Sequence, residues 1–566
     1  MLAIGRRRWQ ILSFVWLACV FVVAAATVRD YGITWDEEYY KEYGVVLLNW
    51  YTSLGANQEA LTKWGLFQYG GFFDLLAQLA VTISPFGVYE TRHLVSLVFG
   101  LMGLLATYGI GYQVAGAKGG FFSVVFLTLM PNYYFYMFSN AKDTPFAALF
   151  ALSLFCMLRS VKALPRVSRS LLLQLGVATG LAMGVRVAGI VLLAYVGLLW
   201  GGWLLVRWRI GAVAGRGALI RLLGTLGLRF SAAAALAWVT MVVFWPWAQV
   251  SPILHPLEIL RQTANYDWPL TVFFEGRFIK ASQLPFYYLP TWFSISLPEF
   301  YFVALLVGCI LAARVPRRRA LWIAHSDDLL RIGLLVVAVA VPIVTHMVLR
   351  STIYDGLRQF LFVLPALAAL AGTSIASFLT PRIHLVPRLA VVGAVLTSVA
   401  ITIQDMAELH PYQYVYFNRL VAGGEESAST RFETDYYGAS YREGVRWLAQ
   451  HYGQHAAERI RVANPSMNFL TAYYLETNPE LRKRFVPVRP WERPHIFMSI
   501  TRWDFHKDKT GQLLHVVRRK GVPLLYVIEV TPPKSISDSV DMDGPLREAL
   551  YSDLLGDDGH QSASGL

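Results

Sequence analysis

The charged and aromatic side chains of this apolar chain gather in a few short stretches, and chemistry is possible only there. Gly32-Ile33-Thr34-Trp35-Asp36-Glu37-Glu38-Tyr39-Tyr40 sets three consecutive acids among aromatic residues, eight positions beyond the apolar run that ends at Val28. Carboxylates near a bilayer surface are costly to desolvate, so they tend to have a partner or a task; a solvated acidic turn is the bland alternative. Asn140-Ala141-Lys142-Asp143-Thr144-Pro145-Phe146 is a second acidic point. Helix capping by Asp143 and Thr144, with Pro145 in the first turn, would account for it without any chemistry. Trp64-Gly65-Leu66-Phe67-Gln68-Tyr69-Gly70-Gly71-Phe72-Phe73-Asp74 is too interrupted to cross a membrane and suits an interfacial helix. Further on come Asn265-Tyr266-Asp267-Trp268-Pro269, then Glu275, Arg277 and Lys280, then Leu284-Pro285-Phe286-Tyr287-Tyr288-Leu289-Pro290-Thr291-Trp292, and finally Tyr354-Asp355-Gly356-Leu357-Arg358-Gln359. The planar fork of Arg358 suits a phosphate; snorkelling to lipid headgroups is the alternative.

These residues must be positioned by membrane helices. Of 566 residues, 55% are hydrophobic and 15% charged, against roughly 45–50% and 25% in soluble domains. Mean hydropathy is +0.44. A disordered chain, a coiled coil and an ordinary cytosolic enzyme are excluded. The first apolar run, Trp9 to Val28, follows Arg6-Arg7-Arg8 and is long enough to span; a signal peptide cleaved after Ala24-Ala25-Ala26 is the rival reading. Ten more runs lie near 92–114, 119–138, 144–158, 171–185, 188–206, 225–248, 298–313, 332–349, 359–379 and 389–404, which predicts about eleven transmembrane helices.

Threading them puts the connections 1–8, 115–119, 159–170, 207–229, 314–331 and 380–388 on one side. Their 75 residues hold 20 Lys plus Arg, against ten in the longer opposite set. The positive-inside rule therefore places the N-terminus in the cytoplasm of a multi-pass plasma-membrane protein, and the acidic stretches on the outer face. The net charge of 50 − 37 = +13 follows from those loops and does not call for a nucleic-acid partner. Cys19, Cys156 and Cys309 fall inside apolar runs, with no disulfide or zinc spacing. The expected fold is an all-α polytopic membrane domain over 1–404 with a small C-terminal α/β extracytoplasmic domain over 405–545. Strands are expected at Arg459–Val462, His495–Ile500 and Pro523–Val530, a helix at Tyr441–His451, and a disordered tail at 546–566.

Taken together, the acidic first loop, the Lys142-Asp143-Thr144-Pro145-Phe146 turn and the Pro285-Phe286-Tyr287-Tyr288-Leu289-Pro290 segment resemble the GT-C-fold glycosyltransferases. The resemblance is to the branch containing protein O-mannosyltransferases and lipid A aminoarabinose transferases. His410-Pro411-Tyr412-Gln413-Tyr414-Val415-Tyr416-Phe417-Asn418 and Arg431-Phe432-Glu433-Thr434-Asp435-Tyr436-Tyr437-Gly438 resemble stretches after the last span in bacterial members. The resemblance covers about residues 1–450. It implies a polyprenyl-phosphate-linked sugar donor, a glycan, lipid or protein acceptor, transfer at the outer leaflet among membrane lipids, and inversion by single displacement.

On that reading Asp36 is the candidate base and Glu37 orients the acceptor or shares a divalent cation, Mg²⁺ or Mn²⁺, with Asp143; a metal held by Asp36 and Asp143 is left open. Lys142, Arg277 and Arg358 are the candidate cations for the leaving phosphate. Trp35, Tyr69, Tyr287, Tyr288 and Tyr354 are candidate pocket residues. One departure is that Gln68-Tyr69-Gly70-Gly71 stands where the family often has a Lys-Pro-Pro motif. A transporter or flippase of lipid-linked sugars would need charges or broken helices within the spans, and a structural or sensory protein leaves the one-sided acids unexplained.

Overall fold

The computed structural model describes residues 2–530, apart from 214, 264–267, 315–324, 382 and 454–457. The expected disordered tail and Asn265, Tyr266 and Asp267 lie outside the described residues. Every apolar run becomes helix, because a backbone in hydrocarbon must satisfy its N–H and C=O groups within itself. Among the described residues, eight helices are long and apolar enough to cross a membrane: Arg6–Asp30, Val88–Thr128, Asp143–Ala163, Val187–Arg209, Arg216–Val243, Ser326–Leu349, Arg358–Phe378 and Leu385–Leu409. A ninth arises if Tyr288–Ser296 and Glu299–Ala313, bent by 106° at Leu297-Pro298, count as one span. Large side chains such as Phe14, Val22, Leu228 and Val348 stand exposed on these helices, as a lipid-facing surface requires.

Against the eleven helices expected, eight or nine elements among the described residues meet the length and apolarity of a span. Two features of the chain account for the difference. The runs near 92–114 and 119–138 meet in the 41-residue element Val88–Thr128, and the second run breaks before Pro131 to continue as the short helix Pro131–Ser139. The run near 171–185 is only the 15-residue helix Arg169–Met183, about 22 Å long where a bilayer core measures about 30 Å.

Val88–Thr128 is itself a hairpin. Gly116, at φ 66°, reverses the chain after Ala115, a left-handed conformation that costs glycine little. The two arms then pack backbone to backbone: a Cβ on Gly111 would lie 2.7 Å from the Gly119 carbonyl oxygen. Helix Leu364–Phe378 lies against the second arm as closely, since a Cβ on Gly372 would meet the Ser123 nitrogen at 2.4 Å.

The C-terminal part carries a five-stranded sheet ordered β4-β3-β5-β7-β6, with β3 Ile460–Ala463, β4 Phe485–Pro487, β5 Ile496–Ile500, β6 Gly511–Arg519 and β7 Val522–Val530; β1 Thr271–Phe274 and β2 Arg277–Lys280 form an outer-loop hairpin. Strands β3 and β4, and β3 and β5, are parallel; β5–β7 and β6–β7 are antiparallel. The three expected strands and the helix Tyr441–His451 are present. Strands β4 and β6 escaped the sequence reading because β4 is three residues long and β6, interrupted by register shifts, starts on an exposed polar face. Position 405 falls inside helix Leu385–Leu409, and Tyr412, Tyr414, Tyr436 and Tyr437 are buried in one hydrophobic cluster with Tyr31, Phe135 and Phe138 of the membrane part.

Replacing Gly372 by Ala should force the Leu364–Phe378 helix off its neighbour and lower stability by about 1–3 kcal/mol. Gly333→Ala, where nothing lies within 4 Å of the added carbon, should be neutral or stabilising. Thermal unfolding of both variants in detergent checks the pair.

Candidate active site

The site begins with the stretch that leaves the first span. Gly32 lies against the Ala439 carbonyl with no room for a side chain, and the Trp35 N–H donates to the Tyr437 carbonyl at 3.0 Å. The Ile33 N–H donates to the Tyr474 hydroxyl at 2.7 Å. Residues 32–35 are therefore clamped onto the C-terminal part, and Asp36 emerges from the clamp at the head of helix Glu37–Thr52. Glu37 points elsewhere: it accepts from Thr34 Oγ1 at 2.9 Å and lies 3.0 Å from His93 Nε2, fully enclosed.

Asp143 comes from the turn after helix Pro131–Ser139. Asn140 Oδ1 accepts from the Lys142 and Asp143 N–H groups at 3.0 and 2.6 Å, and Asn140 Nδ2 donates to Asp143 Oδ2 at 2.8 Å. The capping expected of Asp143 and Thr144 is thus done by Asn140; Thr144 Oγ1 donates to the Tyr136 carbonyl at 2.6 Å. Asp143 is freed for charges. Its Oδ1 accepts from Arg186, and its Oδ2 lies 3.7 Å from Arg358 Nε.

Arg358 is the junction. Nη1 donates to Asp36 Oδ2 at 2.5 Å, Nη2 lies 3.4 Å from Asp355 Oδ2, and the guanidinium covers the rings of Tyr437 and Tyr354 at 5.0 and 5.6 Å. A sharp turn makes this possible: Asp355 at φ 58° and Gly356 at φ 62° both take the left-handed region, which Asp tolerates better than most residues. The Gly356 N–H donates to the buried Tyr288 hydroxyl at 3.3 Å, and Tyr354 stacks on Trp268 at 4.1 Å.

The chain of charges continues through Arg502, whose Nη2 donates to Asp355 Oδ1 at 2.8 Å and whose Nε lies 3.6 Å from Glu433 Oε1. Trp35 packs edge-on to Trp503, and Arg502 lies over both rings. Glu433 borders a cavity of about 270 Å³ with Phe273, Phe278, Trp503 and Tyr526, and neither of its oxygens accepts a hydrogen bond. Burial, opposed by Arg502 and reinforced by Asp355, pushes its carboxyl up to about 7.

Exposure decides which groups face an incoming molecule. Asp36 and Arg186 are each 24% exposed, whereas Asp143, Arg358, Asp355 and Arg502 are at 6% or less. Arg186 Nε has no hydrogen-bond partner. Burial raises the Asp36 carboxyl above its ordinary value, Arg358 lowers it, and Asp355 and Asp143 add to the rise.

Lys142 is engaged by Asp74 at 2.6 Å and the Gly70 carbonyl at 3.2 Å, among the rings of Tyr40, Tyr43 and Tyr69, while Arg92 takes the other Asp74 oxygen at 2.6 Å. Its ammonium thus reaches the Gln68-Tyr69-Gly70-Gly71 stretch from a different turn. Arg277 and Tyr287 stand apart: Arg277 is exposed on β2 and makes none of the cluster's ion pairs, and Tyr287 donates to Glu275 at 3.2 Å in solvent. Of the groups that complete the site, Arg186 was visible only as a charge between two apolar runs, and Asp355 and Glu433 only within longer motifs. Asp74 was visible only as the end of the Trp64–Asp74 stretch, and Arg92, His93 and Arg502 carried no signal, because their partners are remote in sequence. For a metal, the position between Asp36 and Asp143 is filled by the Arg358 guanidinium, and no group of three or more His, Cys, Asp or Glu side chains among the described residues is arranged for one. These residues do not fit the divalent cation considered for Asp36 and Asp143.

Residues 72–220 match the family model described as dolichyl-phosphate-mannose-protein mannosyltransferase. That stretch holds Asp74, Arg92, His93, Lys142, Asp143 and Arg186. No curated protein sequence matches the chain significantly. In three dimensions the chain is similar to ArnT from Cupriavidus metallidurans in the apo state, at 15% identity and a TM-score of 0.49 over 91% of this chain and 98% of that one. For ArnT bound to undecaprenyl phosphate the values are 16%, 0.48, 91% and 97%. For the apo oligosaccharyltransferase of Archaeoglobus fulgidus they are 12%, 0.40, 84% and 65%.

Two measurements follow. Between pH 4.5 and about 7 the folded chain holds a proton on Glu433 that the unfolded chain has lost, so this group makes stability fall as pH rises through that window. Glu433→Gln should remove a slope worth on the order of 3 kcal/mol, read as a flatter dependence of Tm on pH; an unchanged slope refutes it. Arg358→Gln leaves three carboxylates without their shared cation and should lower stability by about 3–5 kcal/mol, with Arg358→Lys recovering only part, because an ammonium lacks the fork.

Proposed function

We propose that the chain is an integral-membrane glycosyltransferase that moves a sugar from a polyprenyl-phosphate-linked donor to an acceptor hydroxyl on the extracytoplasmic face. The observation that carries this reading is the pairing of Asp36 with Arg358 beside the open Arg186, a base and two cations at one end of the spans. Further support is the match of residues 72–220, which contains Asp143 and Arg186.

In this mechanism Asp36 accepts the acceptor's hydroxyl proton as the oxygen attacks the anomeric carbon. The bond from that carbon to the phosphate oxygen breaks, and the electron pair leaves with the polyprenyl phosphate. Arg186 and Arg358 stabilise the developing charge, so Arg186 takes the part first assigned to Arg277. Asp143 holds both guanidiniums in place. Glu37 and Lys142, tied to His93 and Asp74, position the two turns that deliver Asp36 and Asp143.

The sidedness has a geometric basis. Arg6, Tyr112, Lys118, Lys162 and Arg331 line one cavity, while Asp36, Asp143, Arg186, Asp355 and Arg502 join at the other cluster. Counting both arms of the Val88–Thr128 hairpin and the helix Arg169–Met183 as crossings gives eleven and puts each set on one side. The cation-rich loops make the first set cytoplasmic. A flippase loses its motive, because Arg186, the ambiguous charge between spans, belongs to the terminal cluster.

Asp36→Asn should reduce transfer in proteoliposomes by about 10²–10⁴-fold while leaving membrane insertion intact; near-normal transfer would overturn the assignment. The wild-type rate should climb with pH through the raised pKa of Asp36, because the ionised form is the base, placing the acid limb above that of an ordinary aspartate. Arg186→Gln should weaken donor use more than it weakens folding, measured as KM for the lipid-linked donor against Tm.

A further inference from the structure

At the end of the spans opposite the acidic cluster lies a cavity of about 820 Å³, lined by Arg6, Trp9, Tyr112, Lys118, Lys162 and Arg331 among others. Four cations face it against a single acid, Asp328. Cytoplasmic loops collect cations in general, but such side chains ordinarily reach water. Arg331 does not: it is 2% exposed, on the first turns of helix Ser326–Leu349. Its Nη1 donates to the Gln113 carbonyl at 3.3 Å and to Asp328 Oδ1 at 3.0 Å, while Nε and Nη2 are buried with no acceptor. Two of the other three lining cations are held by neighbouring groups. Arg6 donates to the Tyr112 hydroxyl, and Lys118 to the Leu379 carbonyl while lying over Trp9.

Even paired with Asp328 through Nη1, a buried guanidinium with two idle nitrogens among like charges is unfavourable unless a second anion joins it. The anion has to be compact, bear several acceptor oxygens and suit a forked donor, which describes a phosphate. Beyond Trp9, which lines the cavity, the first span exposes Leu12, Phe14 and Val15. Basic pockets between helices on the cytoplasmic side bind anionic lipid headgroups for the same reason.

We propose that this cavity is a phosphate-binding site on the cytoplasmic side, centred on Arg331 and closed by Arg6, Lys118 and Lys162, taking the phosphate of an anionic lipid headgroup or free phosphate. It is independent of the transfer site and of the activity assigned to it.

The test uses the full-length chain in nanodiscs of phosphatidylcholine alone and of phosphatidylcholine with phosphatidylglycerol, and in detergent with and without inorganic phosphate. Thermal unfolding and native mass spectrometry read the binding. Stabilisation and retained lipid with phosphatidylglycerol, but no response to inorganic phosphate, identifies the lipid source; a response to inorganic phosphate identifies the free anion. Arg331→Gln should abolish either response. Because that variant disturbs a buried contact, the exposed Arg6→Gln and Lys162→Gln serve as well, each weakening binding about fivefold. No response to either probe, or responses unchanged in all three variants, would overturn the site.

Discussion

One guanidinium organises one end of the helical part of this molecule. Arg358 lies within ion-pair distance of Asp36, Asp143 and Asp355, which come from three segments each more than a hundred residues from the next. Three carboxylates so close together would repel one another strongly in a buried setting. The shared cation lets them coexist, and it holds the one that is open to solvent, Asp36, in a fixed position. Arg186 and Arg502 extend the same alternation at its two ends, so no charge in the row stands without a neighbour of opposite sign.

The row explains why the C-terminal part belongs to the same machine as the membrane helices. Arg502 comes from beyond strand β5, yet it anchors Asp355 of an inter-helix turn and packs against Trp35 of the first loop. Tyr437 lies under the Arg358 guanidinium, and its backbone clamps the segment that delivers Asp36. Buried tyrosines from 412–437 join the core of the helical part, so the tail finishes the site and keeps water from its inner charges. In the row so assembled, only Asp36 and Arg186 keep appreciable exposure, at 24% each.

The two ends of the helical part differ in electrostatic character. The outer cluster balances acids against arginines, whereas the opposite cavity gathers four cations around one acid. The first arrangement is largely self-contained and offers chemistry at its one open edge. The second leaves Nε and Nη2 of Arg331 buried without an acceptor.

The membrane class and the helical runs were legible in the sequence, because hydrophobic length and loop charge are local properties of the chain, and Asp36, Asp143 and Arg358 stood out there among the charges that the fold brings together. Helix Tyr441–His451 was legible for the same reason: its pattern is contained within the element. What Lys142, Glu37 and Arg277 do was not legible. Lys142 and Arg277 look alike as outer-loop cations, and only the fold gives one to Asp74 and leaves the other in water. Nor could the sequence disclose Arg502, or that Arg358 fills the place between Asp36 and Asp143, because ion pairs form between positions hundreds of residues apart and depend on how the helices and the terminal sheet pack. The amino-acid sequence by itself determined that long apolar segments alternate with charged connections, since transfer from water to hydrocarbon is decided residue by residue; the tertiary structure alone decided which charges meet, since that depends on packing in three dimensions.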